Sequence, residues 1–346
     1  MKFSLLIPAI VLASCIFPPN DLSAQTLTWS APVNDLFVET TGLSGRDAPA
    51  AAVFPATGKM YMAYTSTNST GDADGDYYVY YGSNSGGSTA YEPVGYINPA
   101  GGVASTNLNP ALGVFNNQLY LALADYNPVN NFPPSYTAMN TAGQWGAVTG
   151  FPATAADSGS PVSMATDGIY LYMGYRDRYA NTLVLCRMNT SQVITCTNFP
   201  GTTTMGFSPG LVYDPANSSL YIAFQNLGSH NLNYYVSTDQ GLTIGNLITT
   251  AAGDQTSTAP SLTLHNGYIY MGFRSNDGAH NFLYKTTSNG GATWSNSSEA
   301  SPSYSMNGNP VLVDGTGLTN FPAYLYNIFI QDGSPYYVET SFGQVP

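Results

Sequence analysis

Charge is what this sequence has least of. Eight Lys and Arg with 20 Asp and Glu make up 8% of its 346 residues and leave a formal net charge of −12. Nucleic acid is gripped by clustered basic side chains, so no nucleic-acid partner is expected. An anionic membrane surface is disfavoured for the same reason. The three histidines, His230, His265 and His280, are dispersed along the chain, so a histidine metal site is not expected. No nucleophile elbow, P-loop or dinucleotide fingerprint occurs. Beyond the first two dozen residues no apolar run is long enough to cross a bilayer, and no membrane span is expected.

Tyrosine is abundant, 27 against 15 phenylalanines, and 35 glycines punctuate short β-prone runs. That profile belongs to an all-β protein with many turns. The N-terminus reads as an export signal over residues 1–24: Lys2, an apolar Ser4–Phe17, and a small-residue cleavage site at Leu22-Ser23-Ala24 before Gln25. A second reading stays open, because Leu12-Ala13-Ser14-Cys15 resembles a lipoprotein signal in which Cys15 carries lipid. The expected product is secreted, periplasmic or held at the cell surface. Residues 25–346 are expected to form one domain. Its two cysteines, Cys186 and Cys196, flank a hairpin pattern, LCRMNTSQVITC, and in an exported chain are expected to form a disulfide.

The chain is repetitive. Six prolines, Pro49, Pro110, Pro161, Pro209, Pro260 and Pro310, recur at about 50-residue intervals after a longer first one. Each precedes a strand–turn–strand pattern such as SLTLHNGYIYMGFRSND. Thr57-Gly58, Asn116-Asn117, Asp167-Gly168 and Asn266-Gly267 supply the left-handed positions of tight hairpins. Alternation such as Tyr270-Met271-Gly272-Phe273 suits a sheet buried on both faces, as in a propeller blade. Third strands are expected at Tyr77–Tyr81, Leu183–Arg187, Leu232–Val236, Phe282–Thr286 and Tyr336–Glu339.

Three third strands lead into a related loop. It reads TSNGGATW at Thr287–Trp294, STDQGLTI at Ser237–Ile244 and SNSGGSTA at Ser83–Ala90. An Asp or Asn side chain there accepts backbone N–H groups, glycine permits the reversal, and the aromatic fills a gap beside the fourth strand. The last repeat has no room for a fourth strand, whereas Thr26-Leu27-Thr28-Trp29-Ser30 looks like the Ala292–Ser295 segment that opens one. Thr26–Val33 is therefore expected to complete the sixth blade and close the ring, removing exposed edges.

Six such units with these loops resemble the sialidase (neuraminidase) superfamily, whose Asp-box (BNR) repeats have the form S-x-D-x-G-x-T-W. The likeness covers essentially the whole mature chain and implies a six-bladed β-propeller of the sialidase type, with carbohydrate or a glycoconjugate as partner. The family's chemistry uses three arginines on a substrate carboxylate, an acid aspartate, and a tyrosine nucleophile paired with a glutamate base. Arg46 in Gly45–Pro49 matches the first arginine with one residue inserted. Asp72 or Asp74 falls where the acid stands, and Arg274 followed by Tyr304 matches a later arginine and the nucleophile. The fourth repeat, Gly206–Asn231, holds neither the family's glutamate nor its arginine, and Arg176 offers a guanidinium from another direction. The resemblance thus implies a degenerate active site.

Two further features are local. Asp72, Asp74 and Asp76 could together bind Ca²⁺, but Ser83 stands where an EF-hand needs glutamate, and a solvated turn is the favoured reading. The ends of successive second strands are polar and converge on one face: Arg176-Asp177-Arg178, Gln225-Asn226, and Asn276-Asp277 with His280. Such groups beside tyrosines suit hydroxyl-rich ligands. The expected function is non-catalytic glycan recognition. A divergent exo-sialidase using the five residues above and a protein-binding surface scaffold are the alternatives.

Overall fold

Strands form wherever β-branched, aromatic and small apolar residues alternate between turn signals, and the tertiary structure, a computed structural model, is built from them. It describes residues 27–29, 33–34, 48–65, 77–84, 92–97, 105–106, 108–124, 134–152, 155–250, 254–300, 305–320, 324–330 and 338–344. Among these every regular element is a strand.

The chain begins with two short strands, β1 (Thr28–Trp29) and β2 (Val33–Asn34). Sheet one follows with β3 (Ala50–Phe54), β4 (Lys59–Thr65), β5 (Tyr77–Asn84), β6 (Glu92–Tyr96) and a side strand, β7 (Ser105–Thr106). Sheet two holds β8 (Ala111–Phe115), β9 (Gln118–Leu123), β10 (Ser135–Met139) and β11 (Thr149–Gly150). Sheet three holds β12 (Ser163–Thr166), β13 (Tyr170–Arg176), β14 (Leu183–Asn189) and β15 (Ile194–Phe199). Sheet four holds β16 (Gly210–Asp214), β17 (Ser219–Gln225), β18 (Leu232–Ser237) and β19 (Ile248–Thr249). Sheet five holds β20 (Ser261–His265), β21 (Tyr268–Arg274), β22 (Phe282–Thr287) and β23 (Ser298–Glu299). The last sheet holds β24 (Val311–Asp314), β25 (Leu325–Ile330) and β26 (Val338–Gln344), with β1 and β2 paired to β26.

Each sheet is an antiparallel meander, and the first strands contact one another in the cycle β3, β8, β12, β16, β20, β24 and back to β3. This is an all-β propeller. The second strands are its most buried elements: β17 is buried along its whole length, and β9, β13 and β21 nearly so. Six hydrophobic clusters lie between and within the sheets.

The hairpin turns behave as their residues require. Asn116, Asn117, Asn266 and Gly267 take positive φ, as do Gly58 and Gly168. The Asp-box loop is self-capping. In sheet four Asp239 accepts the Ser237 hydroxyl at 2.9 Å and the Thr243 amide at 2.9 Å, and Asn289 accepts the matching Thr293 amide at 3.1 Å in sheet five. Residues 85–90 of the SNSGGSTA segment lie outside the described residues.

The tryptophans show what these loops deliver. Trp145 meets Tyr81 at 5.7 Å, Trp294 meets Tyr234 at 5.8 Å and Trp29 meets Tyr284 at 5.7 Å, all edge-on. In every case a tryptophan near the outer strand of one sheet packs on the third strand of the sheet before it. Trp29 stands in this role for the last sheet, with Thr28 opposite Gln344 and Trp29 opposite Gly343.

Three details differ from the sequence reading. The last third strand runs over Val338–Gln344, further along than Tyr336–Glu339, because its pairing to β25 and β1 carries it on toward the C-terminus. Sheet two has a third strand, β10, that the sequence reading lacks. After β10 comes a shortened capping loop, in which Asn140 accepts the Ala142 and Gln144 amides at 3.0 and 3.1 Å and Gly143 turns at φ 79°. Its spacing is too short to match the Asp-box pattern. Cys186 and Cys196 are directly opposed on β14 and β15 and form a disulfide, with 3.9 Å between their Cα atoms.

Candidate functional site

In an antiparallel meander, alternate connections fall at the same end of the sheet. The turns from second to third strand therefore share one face with the connections that enter the next sheet. The 1–2 hairpins and the Asp-box loops lie on the opposite face.

On the first face, the three best-described 2–3 loops are built alike. In sheet three Asp177 accepts the Tyr179 and Ala180 amides, both at 2.7 Å. Asn226 does the same for Gly228 and Ser229 at 2.9 and 3.1 Å, and Asp277 for Ala279 and His280 at 3.1 and 3.2 Å. Each loop ends on a left-handed residue, Asn181, His230 or His280. The Ser275 hydroxyl and these backbone amides hold the Asp277 carboxyl below the usual carboxylate range, with slight burial opposing them.

The last residue of each second strand, Arg176, Gln225 or Arg274, sits below its loop. Arg176 donates through Nη1 to Asn181 Oδ1 at 3.0 Å and through Nη2 to the Gly159 carbonyl. Gln225, only 1% exposed, donates through Nε2 to the Thr256 carbonyl at 2.6 Å and lies 2.8 Å from His230 Nδ1, which ties sheet four to the entry of sheet five. Gly159 has no room for a side chain, since a Cβ there would stand 2.6 Å from Arg178 Cα.

At the axis lies a cavity of about 150 Å³. It is ringed by the six repeat prolines, Pro49, Pro110, Pro161, Pro209, Pro260 and Pro310, and by the residues around each. Residues just before the prolines stitch neighbouring sheets: the Ser208 hydroxyl donates to the Pro161 carbonyl at 2.9 Å, and Asn309 accepts the Ala259 amide at 3.0 Å. Among the described residues no Asp, Glu, Lys, Arg or His lines this cavity.

The structure thus brings Arg176, Asp177, Arg178, Gln225, Asn226, Arg274, Asn276, Asp277 and His280 onto one face, on three successive sheets, with neither Arg176 nor Arg274 lining the axial cavity. Arg46, Asp72, Asp74, Asp76 and Tyr304 lie outside the described residues, as does Cys15. Among the described residues no three His, Cys, Asp or Glu side chains are grouped to hold a metal ion. None of the helices needed to cross a membrane is found there either. The sequence reading missed Tyr179, Phe207 and Leu227, large apolar side chains that this face leaves exposed. Each follows a polar or glycine turn residue, the signal that could have marked it as a loop side chain.

No family model matches the sequence, and no curated protein does. Solved structures match well in shape. The Penicillium chrysogenum alpha-L-arabinanase complexed with arabinobiose is 14% identical, with a TM-score of 0.65, over 92% of this chain and 99% of that one. The Aleuria aurantia lectin in complex with alpha-methyl-L-fucoside is 12% identical, with a TM-score of 0.61, over 88% and 96%. The phage phi92 endosialidase is 9% identical, with a TM-score of 0.60, over 91% and 69%. At such identities the likeness establishes the propeller fold that the chain shares with glycosidases and lectins.

Proposed function

We propose that this chain is an exported glycan-recognition propeller that binds sugars on its 2–3 loop face without cleaving them. The observation that carries the reading is the contrast between its two concave features. The axial cavity is lined by proline, aliphatic, serine and asparagine residues, and none of the described residues lining it is ionisable, so none of them supplies a general acid or base. The surrounding loops expose tyrosine, amide, hydroxyl and guanidinium groups, which suit hydroxyl-rich ligands. The company of a lectin and two glycosidases supports a glycan-related role. Similar loops on successive sheets favour several weak sites acting together.

We read the six sheets as six blades, with β1 and β2 as the outer strands of the last. The pairing of Trp29 with Gly343 and its packing on Tyr284 support that closure. The Cys186–Cys196 bridge supports export to an oxidising compartment.

The test is a glycan array run beside hydrolysis assays on a fluorogenic sialoside and arabinoside. Saturable array binding with no turnover is the expected result. Turnover that vanishes in Tyr304→Phe would overturn the non-catalytic reading in favour of a divergent sialidase. Silence in both assays would favour a protein-binding scaffold.

A further inference from the structure

Tyr179, Phe207 and Leu227 are 68%, 39% and 45% exposed, and they stand on three segments that are hydrogen-bonded to one another. The segment Thr204–Ser208, which enters sheet four, is wedged between the 2–3 loops of sheets three and four. Its Met205 amide donates to the Asn181 carbonyl at 2.7 Å, on the Tyr179 side. On the other side, the Gly206 amide donates to the Gln225 carbonyl and the Leu227 amide to the Thr204 carbonyl, both at 3.0 Å. Phe207 is thus carried by a segment bonded on one side to the loop that bears Tyr179 and on the other to the loop that bears Leu227.

The repeats disagree at this point. Two residues before the repeat proline stand Leu108, Gly159, Phe207, Thr258 and Gly308 in successive sheets. Two of these have no side chain, and Thr258 is buried. No packing requirement shared by the sheets calls for a phenylalanine held out to solvent.

We infer that the surface where these loops meet between sheets three and four, bearing the exposed Tyr179, Phe207 and Leu227, is a subsite for a neutral sugar ring. The inference rests on the glycan-binding reading above. Sugar rings present flat C–H faces that pack on aromatic faces while their hydroxyls stay hydrated, and Thr204 and Ser229 stand exposed at the edges to meet them. Acidic sugars fit poorly. Arg176 already spends Nη1 on Asn181 and Nη2 on Gly159, and the Arg178 guanidinium lies over the Tyr179 ring, 5.5 Å from its centre. No paired cationic clamp is left for a carboxylate. Burial pushes the Tyr175 hydroxyl well above its ordinary range, and the carboxylates of Asp177 and Asp157, which add negative charge beside this loop, push it the same way.

The experiment is calorimetric titration with methyl glycosides of galactose, fucose and arabinose, and with sialyllactose as the acidic probe. At least one neutral glycoside should bind, and more tightly than sialyllactose. Tyr179→Ala and Phe207→Gly should each weaken it about tenfold, the scale of one lost aromatic contact. Phe207→Gly reproduces what sheets three and six carry at that position, and both variants should stay folded, with melting temperatures lowered by no more than a few degrees. Leu242→Ala, at an exposed apolar residue on the opposite face, should bind as the wild type does. Neutral binding that both variants retain overturns the subsite while leaving the glycan reading intact. Tighter binding of sialyllactose overturns the neutral assignment. A wild type that binds none of these probes, nor any array glycan, overturns the subsite and the broader reading together.

Discussion

Lys285 lies in the middle of β22 with 1% of its surface exposed, and its Nζ meets Asp254 Oδ2 while Ser297 donates to Asp254 Oδ1. Such a pair adds little over a well-packed apolar one, but breaking it strands a charge. Lys285→Ala should therefore lower stability by about 3–5 kcal/mol, and Lys285→Met combined with Asp254→Leu should recover most of that loss. Urea unfolding of the two variants checks both values. Asp239 gives a pH dependence. Slight burial opposes its ionisation, but hydrogen bonds from Thr243, Ser237 and Leu242 prevail and hold its carboxyl below the ordinary value. A depressed folded pKa contributes stability that is complete above about pH 4 and is lost as pH falls through the folded value. Asp239→Asn, which copies the Asn289 of sheet five, should therefore melt less sharply dependent on pH below about pH 4. Melting curves across that range measure it.

At the scale of the element, the outer strands differ in length. Those of sheets two, four and five are two residues long, a form that offers little edge for unwanted pairing. β15 has six residues and exposes part of its length, and the Cys186–Cys196 bridge fastens it to β14. Closing a loop of this size is worth about 2–3 kcal/mol. Cys186→Ala with Cys196→Ala should lose that amount, and a reductant should shift the unfolding midpoint of the wild type but not of the double variant. The strands and their hairpins were legible because period-two alternation and Asn-Gly or Asn-Asn turns are local signals. β10 escaped notice because its SYTAM has no aromatic run and its loop, MNTAGQW, is a shortened capping turn.

For the whole molecule, Trp29 is the decisive residue. It is buried, lies on Phe282 at 5.3 Å and Tyr284 at 5.7 Å, and joins the start of the chain to β26 near its end. If this contact closes the ring, Trp29→Ala should cost about 3–5 kcal/mol and should also bare the edge of β26. Size-exclusion chromatography would then show self-association that Leu242→Ala does not. Unchanged stability and a monomeric profile would mean that the ring holds without its N-terminal strand.

The sequence by itself determined most of the strands, the disulfide partners and the recurring prolines, because each depends on neighbours a few residues away or on a period that recurs. It also singled out the polar ends of the second strands, which lead into the 2–3 loops, as converging on one face. Only the tertiary structure decided what those loop residues do. Asp177, Asn226 and Asp277 each turn Oδ1 to the amides of their own loop, and Gln225 is buried as a tie between sheets, so these side chains hold the loops in shape. Conversely, the segment of Phe207 meets the loops of Tyr179 and Leu227 only when two sheets pack side by side. Their residues lie about 20 to 50 positions apart, and no local pattern records which side chains a wedge between two loops will leave facing water.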